Sequence, residues 1–454
     1  LEAIKKTTSS SIYMQVTGTP QSILLQTRKS GWKPYFIYYF KPGKGYLGGN
    51  FFFTADPPKQ IVFTDNDEAS EIINDDEFPE NGLKNALLAH LITSGHIMLS
   101  GGTVCNFLIH PSVKTTQHAT FAGKIGNYLN EISHSCEEPE TREAFYKIYE
   151  SLKETKPDIR NFDEIYKYIT EQIQNDKISI QLLNSVVSYD ENTQYEHGIN
   201  VIVGGNSLGR GVTFPQLQTI YYCRVAKSPQ ADTMWQHARM FGYDRDAALM
   251  RVYMPPKLFK LFSDINRTNN SIIRQIENMS NGADIKIFYP EGLKPTRKNV
   301  LDKKAVDIYS GGVNYFPFYP VNKNVSAIDD LLRTFEDDVY TVSLKLMVKL
   351  MENVDSEVDD WSAKVFIGFI NTLLAANPAE QGKLIVRRNR DIGKGTGTLL
   401  SQTDRQLGDK YADEAVLTMY KITGNQEKGW DGTKIWIPNI KLPGDCIYYS
   451  GEPS

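Results

Sequence analysis

Cysteine is scarce: Cys105, Cys136, Cys223 and Cys446 are the four in 454 residues, far apart and without a CxxC pair. That excludes a zinc ribbon and a disulfide-stapled secreted scaffold, and predicts reduced thiols in a cytoplasmic protein. No apolar run reaches the roughly 18 residues a membrane-spanning helix needs, and no signal peptide is present, so no membrane partner is expected. The seven histidines include no HxH or HExxH spacing, which excludes the usual zinc and metal-phosphohydrolase ligand sets. An excess of base is missing too. With a net charge of −4, any nucleic-acid contact has to come from a local patch. The early nuclease-like string Glu154-Thr155-Lys156 falls in a polar helical stretch with no Asp between it and Asp76, so a PD-(D/E)xK centre is not expected.

What is present is ordinary globular material, 41% hydrophobic and 23% charged, enough for large cores. Residues 1–64 carry eight Lys and Arg against Glu2 and Asp56, whereas 65–80 carry eight acids and no base. Such a block predicts a solvated linker or exposed helix, and thus a domain boundary. From 81 to 290 strands alternate with helices. A helix follows Asn81-Gly82, a buried strand runs over 106–110, and helical residues span 117–175 with Pro139 and Pro157 as breakers. Further strands are predicted at 178–187, 199–203, 218–224 and 250–254. This alternation predicts an α/β fold, a parallel sheet with helices on its faces. Residues 291–325 read as an irregular connector. Residues 326–454 read as an α+β accessory domain with a long helix from 326 to 350, a second over 361–375, and strands at 384–388, 417–422 and 434–440.

Three segments offer chemistry. The strand 199–203 runs into Gly204-Gly205-Asn206-Ser207-Leu208-Gly209-Arg210-Gly211-Val212-Thr213-Phe214-Pro215. Loops leaving the carboxyl ends of parallel strands form the ligand crevice. Gly209 and Gly211 let backbone approach a ligand, and Arg210 offers a forked cation. Ser228-Pro229 then starts a helix predicted to run to Phe241 and stop at Gly242, with Asp232, Gln236 and Arg239 on one face. Upstream, Tyr13-Met14-Gln15-Val16 is a strand ending in the turn Thr17-Gly18-Thr19-Pro20.

In this order the three segments resemble the superfamily 2 helicase and translocase ATPases. Thr17 to Pro20 is similar to motif III, the strand through His110 to motif IV, Asn206 to Pro215 to motif V, and Gln236 to Arg245 to motif VI. The resemblance is closer to the Z1-domain ATPases of bacterial restriction and defence systems. It rests there on Pro42-Gly43-Lys44-Gly45-Tyr46-Leu47-Gly48-Gly49, on the Leu108-Ile109-His110 strand, and on Gln236-His237-Ala238-Arg239-Met240-Phe241-Gly242-Tyr243. It covers residues 1–290 and implies a RecA-like second motor lobe over 81–290, preceded by a remnant of the first lobe.

The implied activity is DNA-dependent ATP hydrolysis that moves or remodels double-stranded DNA, with a nuclease or other restriction protein as partner. Arg239 would reach the γ-phosphate and Gln236 would position water or phosphate. Gly209, Arg210, Gly211, Thr213 and Arg245 would line the nucleotide. Thr17 and Thr19 would couple the lobes. DNA contacts are expected from His110, Ser112 and Asn206, and from the basic cluster holding Arg387 and Arg388.

The sequence departs from the pattern in three places. Motif VI has Phe241-Gly242-Tyr243 between its arginines, and Thr213 stands where motif V carries an Asp. No GxxxxGK[ST] string occurs, nor an Asp-Glu pair ahead of Thr17. The cofactors implied are ATP and Mg²⁺, with the phosphate loop and the Mg²⁺ carboxylates expected ahead of Leu1. On that expectation the chain does not hydrolyse ATP by itself. Two other readings stay open: a nucleotide-independent DNA-binding or assembly module, and an RNA helicase.

Overall fold

The computed structural model describes residues 7, 12, 14–25, 35–54, 56–74, 82–111, 115–183, 195–205, 213–224, 229–278, 285–290, 292–296, 306–358, 360–395, 399–444 and 446–450. Its centre is a six-stranded sheet built from β1 (Ile61–Phe63), β2 (Val104–His110), β3 (Ile178–Leu183), β4 (Gly198–Gly204), β5 (Leu217–Tyr222) and β6 (Arg251–Met254). The order is β1-β6-β5-β2-β4-β3 and every pairing is parallel. The α/β expectation holds. A parallel sheet covered on both faces needs strands that are apolar throughout. All seven residues of β2 are buried, and so are all six of β5.

The helical region splits into Thr115–Ser135, Pro139–Lys153 and Phe162–Gln174. Pro139 opens the second of these and Asn161 caps the third, its side chain accepting from the Asp163 N–H. With Gly82–Leu99 these helices cover one sheet face around Leu87, Leu91, Phe107, Phe121, Phe145 and Ile165. The other face is covered by Gly49–Phe52, Ala231–His237 and Pro256–Asn278, around Phe52, Phe53, Met234, Met240 and Phe262.

Of the acidic block, residues 75–80 lie outside the described residues. Residues Glu68–Asn74 form a helix, and Glu68 is 3% exposed. Its carboxylate accepts from the Gly82 and Leu83 N–H groups at 3.0 and 2.9 Å and from the Tyr221 hydroxyl at 2.7 Å. The first orphan N–H groups of the long helix thus take a carboxylate supplied from the block. Strand β1, ahead of that block, is the outer strand of the six-stranded sheet.

Beyond β6 the chain builds three smaller sheets. The strands β7 (Ile287–Pro290), β8 (Asp307–Ser310) and β16 (Cys446–Ser450) pair antiparallel with β16 central. The strands β9 (Asn314–Tyr315), β11 (Val339–Ser343), β13 (Gln381–Arg390), β14 (Val416–Ile422) and β15 (Trp436–Lys441) form a mixed sheet. The short β10 (Pro320–Asn322) and β12 (Val354–Ser356) pair with each other. The long helix expected over 326–350 is instead Val325–Leu331, then β11, then Leu344–Met351. The run Val339-Tyr340-Thr341-Val342, β-branched except for the aromatic Tyr340, pairs with β13, and Ser343 caps the next helix by accepting from the Lys345 N–H.

The last strand locks the two regions together, because β16 pairs directly with β7. Helix Pro256–Asn278 reinforces this by packing on helix Ala363–Ala376. The Ser271 hydroxyl donates to the Thr372 carbonyl at 2.9 Å, and Arg274 donates to that of Ala376 at 2.9 Å. The arginine satisfies carbonyls that a helix C-terminus otherwise leaves open.

Candidate nucleotide and phosphate site

Chain order reverses around β2, which has β4 on one side and β5 on the other. In an open α/β sheet the crevice for ligands lies outside the carboxyl ends at such a point. The loops leaving β2, β4 and β5 carry Ser112, Asn206, Gly209, Arg210 and Gly211, which lie outside the described residues. Thr213 is exposed beyond the same loop, and the following Phe214 is buried.

Helix Ala231–His237 lies beside this edge and is shorter than the sequence predicts. Arg239 adopts φ 54°, a left-handed conformation that ends the helix. Asp232, Gln236 and Arg239 therefore do not share one helical face. The reason is packing. Met240 is buried, and the Phe241 ring packs on that of Trp235 with centroids 4.6 Å apart, which a continued helix would swing outwards. Asp232 is occupied locally: it accepts from the Thr233 N–H at 2.6 Å and the Thr296 hydroxyl at 2.8 Å.

Gln236 reaches across the chain. Its Nε2 donates to Thr19 Oγ1 at 2.9 Å, and the Thr19 N–H donates to Thr17 Oγ1 at 3.0 Å. The Thr-Gly-Thr-Pro turn and the helix are 217 residues apart in sequence yet share this bond. Arg245 packs inside the fold. Its side chain is 7% exposed and its guanidinium pairs with Asp244 and donates to the Arg239 carbonyl at 3.0 Å. Burial lowers its pKa, which Asp244 and Tyr46 partly offset. Arg245 thus holds the Arg239 backbone in place. Asp244 completes the clamp by accepting from the Gln216 N–H at 2.9 Å.

The Gly-rich turn docks on the same segment. Leu47 and Gly242 exchange both backbone hydrogen bonds, at 2.8 and 3.1 Å, and the Gly43 N–H donates to the Tyr243 hydroxyl at 2.8 Å. A Cβ on Gly49 would lie 2.2 Å from Asn266 Oδ1 and 2.6 Å from the Trp235 ring, so only glycine fits there.

Among the residues expected at DNA, His110 is fully buried and stacks on Tyr222, with ring centroids 4.8 Å apart. Arg387 and Arg388 are held structurally. Arg387 pairs with Asp404 at 3.0 Å. Arg388 pairs with Asp337 at 3.0 Å, donates to the Leu332 carbonyl and lies over Trp436. Their guanidinium groups are engaged within the fold, with the side chains 20% and 28% exposed. The structure also brings forward Arg224, which sequence reasoning passed over. Its Nη1 lies 3.2 Å from His237 Nδ1. Among the described residues no group of three His, Cys, Asp or Glu could hold a metal ion. All four cysteines are buried and none forms a disulfide.

Residues 82–291 match the Z1 domain family. Residues 309–444 match the C-terminal domain of the restriction endonuclease CglI H subunit. One chain thus joins a Z1 domain to the C-terminal domain of the CglI H-subunit family. A solved structure titled "C-terminal domain of CglI restriction endonuclease H subunit" is 31% identical and covers 30% of this chain and 100% of its own, with a TM-score of 0.28. No curated protein matches the chain. The Z1 domain match contains the crevice edge, Gln236, Arg239 and Arg245. The mixed sheet with Arg387 and Arg388 lies in the C-terminal domain.

Proposed function

We propose that this chain is the second motor lobe and accessory domain of an ATP-dependent component of a restriction system, driven by duplex DNA and acting with a nuclease-bearing partner. The observation that carries the reading is the Gln236–Thr19 hydrogen bond at 2.9 Å. A helix that carries Gln236 and leads into Arg239, the residues expected at the γ-phosphate, is tied to the turn expected to couple two lobes. The family of the C-terminal domain, named for part of a restriction endonuclease, supports the biological setting.

In this reading ATP phosphates approach Arg239, whose fork neutralises charge on the transferring phosphoryl group. Gln236 orients the phosphate or attacking water, and its bond to Thr19 passes the nucleotide state to the preceding segment. Arg245 positions Arg239 through the Arg239 carbonyl and takes no direct part. The described residues gather no carboxylate set and so do not fit Mg²⁺. Ile12, Met14 and Val16, ahead of Thr17, are 99%, 78% and 85% exposed. Exposed apolar residues two apart suit a segment covered by further protein, as a first motor lobe would supply.

The test is ATP turnover by the full-length protein, alone and with its nuclease partner, against duplex DNA and RNA of equal length. Stimulation by duplex DNA is expected. Stimulation by RNA alone would favour an RNA helicase, and no turnover with either would favour an assembly module.

A further inference from the structure

At the amino ends of the parallel strands, the edge opposite the nucleotide crevice, a cleft opens that the motor reading leaves without a task. Gln216 and Asp246, just ahead of β5 and β6, line it together with His96 and the turn Ser100-Gly101-Gly102-Thr103, which joins helix Gly82–Leu99 to β2. Ile97, Val104 and Leu249 supply the apolar part of its wall. Its volume, about 400 Å³, falls in the range of small-ligand sites. A Cβ on Gly102 would lie 2.4 Å from the Ile97 side chain and 2.9 Å from its carbonyl oxygen, and Gly101 holds φ 92°. Both positions therefore require glycine, and the turn presents bare backbone to the cleft.

The lining leans towards acceptors. The N–H groups of Ser100, Gly101 and Gly102 are spent on the carbonyls of His96, Met98 and Ile97, at 3.1, 3.1 and 2.9 Å. What the turn offers the cleft is its own carbonyls and two hydroxyls, beside the negative end of helix Gly82–Leu99. Asp246 adds a carboxylate. One of its oxygens accepts from the Ala248 N–H at 2.9 Å and the other pairs with Lys156 at 3.2 Å. A carboxylate has about four lone-pair sites, so each oxygen retains room for another donor. His96 supplies the opposite chemistry. It is 9% exposed, and its Nδ1 accepts from the Arg160 N–H at 3.1 Å. Burial, and then the nearby Lys156, lower its pKa, so the ring is neutral and carries its proton on Nε2, a fixed donor.

A ligand suited to this lining presents adjacent N–H donors to the carboxylate and an acceptor to the imidazole, on a flat body that lies against Ile97, Val104 and Leu249. Guanine has that edge: its ring N–H and exocyclic amine suit a carboxylate, and the neighbouring carbonyl oxygen suits an N–H donor. Adenine presents one amine beside an unprotonated ring nitrogen and cannot pair with a carboxylate in this way. We infer that the cleft is a binding site for a guanine-type base, carried by a free nucleoside or nucleotide. Gln216 connects it to the motor residues. The Gln216 N–H donates to Asp244 at 2.9 Å, Asp244 pairs with Arg245, and Arg245 donates to the Arg239 carbonyl at 3.0 Å. An occupant of the cleft therefore bears on the backbone that carries Arg239 and regulates turnover. The regulatory role rests on the motor reading; the site itself does not.

The test is a calorimetric titration of the full chain with guanosine, inosine, adenosine, and short DNA strands with and without guanine. Guanosine is expected to bind one-to-one and adenosine to give no signal. Inosine, which lacks the exocyclic amine, should bind about tenfold more weakly than guanosine, as loss of one charge-assisted hydrogen bond does. Asp246→Asn should weaken guanosine by a similar factor and erase most of its preference over inosine. Ser100→Trp, at an exposed position of the turn, fills the mouth of the cleft and should abolish binding. No binding of guanosine, equal binding of adenosine, or an unchanged titration in Ser100→Trp would overturn the site. Binding of the guanine-containing strand with none of guanosine would overturn the free ligand as its source. In the full-length protein, guanosine is expected to change DNA-stimulated ATP turnover in the wild type and not in Ser100→Trp. Unchanged turnover at saturating guanosine would overturn the regulatory role alone. The binding readouts do not involve ATP turnover, so failure of the motor reading leaves them decisive.

Discussion

Replacing Arg239 with alanine is expected to lower DNA-stimulated ATP turnover of the full-length protein by about three orders of magnitude, the loss that follows removal of an arginine from a transferring phosphoryl group. ATP affinity falls far less, because the guanidinium acts on charge that develops in the transition state. The backbone argues for a specific role. Arg239 holds φ 54°, which a non-glycine residue adopts at some energetic expense, and Arg245 fixes its carbonyl at 3.0 Å. Arg239→Lys keeps the charge but loses the planar fork, so most of the loss persists. Steady-state turnover at saturating DNA, with kcat and KM separated, checks this. A fall confined to KM would show that Arg239 only binds nucleotide.

The second large effect concerns stability, not turnover. Asp404 is 2% exposed and pairs with Arg387 at 3.0 Å. It also accepts from the Tyr420 and Ser401 hydroxyls, both at 2.9 Å, and lies 3.9 Å from Arg390. Asp404→Ala removes the carboxylate and leaves Arg387 with its charge largely buried. Loss of about 3 kcal/mol is expected, as when one partner of a buried pair is removed. Urea unfolding of the C-terminal domain signal checks it. Asp404→Asn keeps hydrogen-bonding capacity and should lose less. An Arg387→Ala protein that remains folded yet loses DNA binding selectively would support the basic cluster as a contact surface.

The sequence carried the sheet well where strands are buried on both faces. Phe107-Leu108-Ile109 and Val201-Ile202-Val203 are apolar without interruption because helices cover both sides, and both are core strands. It carried less where helix and strand share apolar spacing. Val339 and Val342 fit a helical stripe with Leu344 and Met347, but pairing with β13 decides for a strand, and that partner lies about 40 residues further along the chain. The end of helix Ala231–His237 was hidden for a similar reason, since burial of Met240 and the ring contacts of Phe241 draw the chain out of its helical path. Within the charge block 65–80, Glu68 caps a neighbouring helix, a contact that charge counting does not show.

The candidate site divides the same way. Gln236 and Thr19 were named by family resemblance, and their bond is a tertiary fact with no trace in spacing. Arg224, His237 and His110 come from the end of β5, the following helix and β2; only the strand order brings them together.

The central claim is that the Thr-Gly-Thr-Pro turn and the Gln236 helix form one nucleotide-responsive unit. A double-mutant cycle with Thr19→Val and Gln236→Ala, read in DNA-stimulated ATP hydrolysis, tests it most directly. The account predicts strong coupling, with the double variant little worse than either single one and an interaction energy of at least about 1 kcal/mol. Fully additive effects, or single variants that turn over ATP like the wild type, would contradict it.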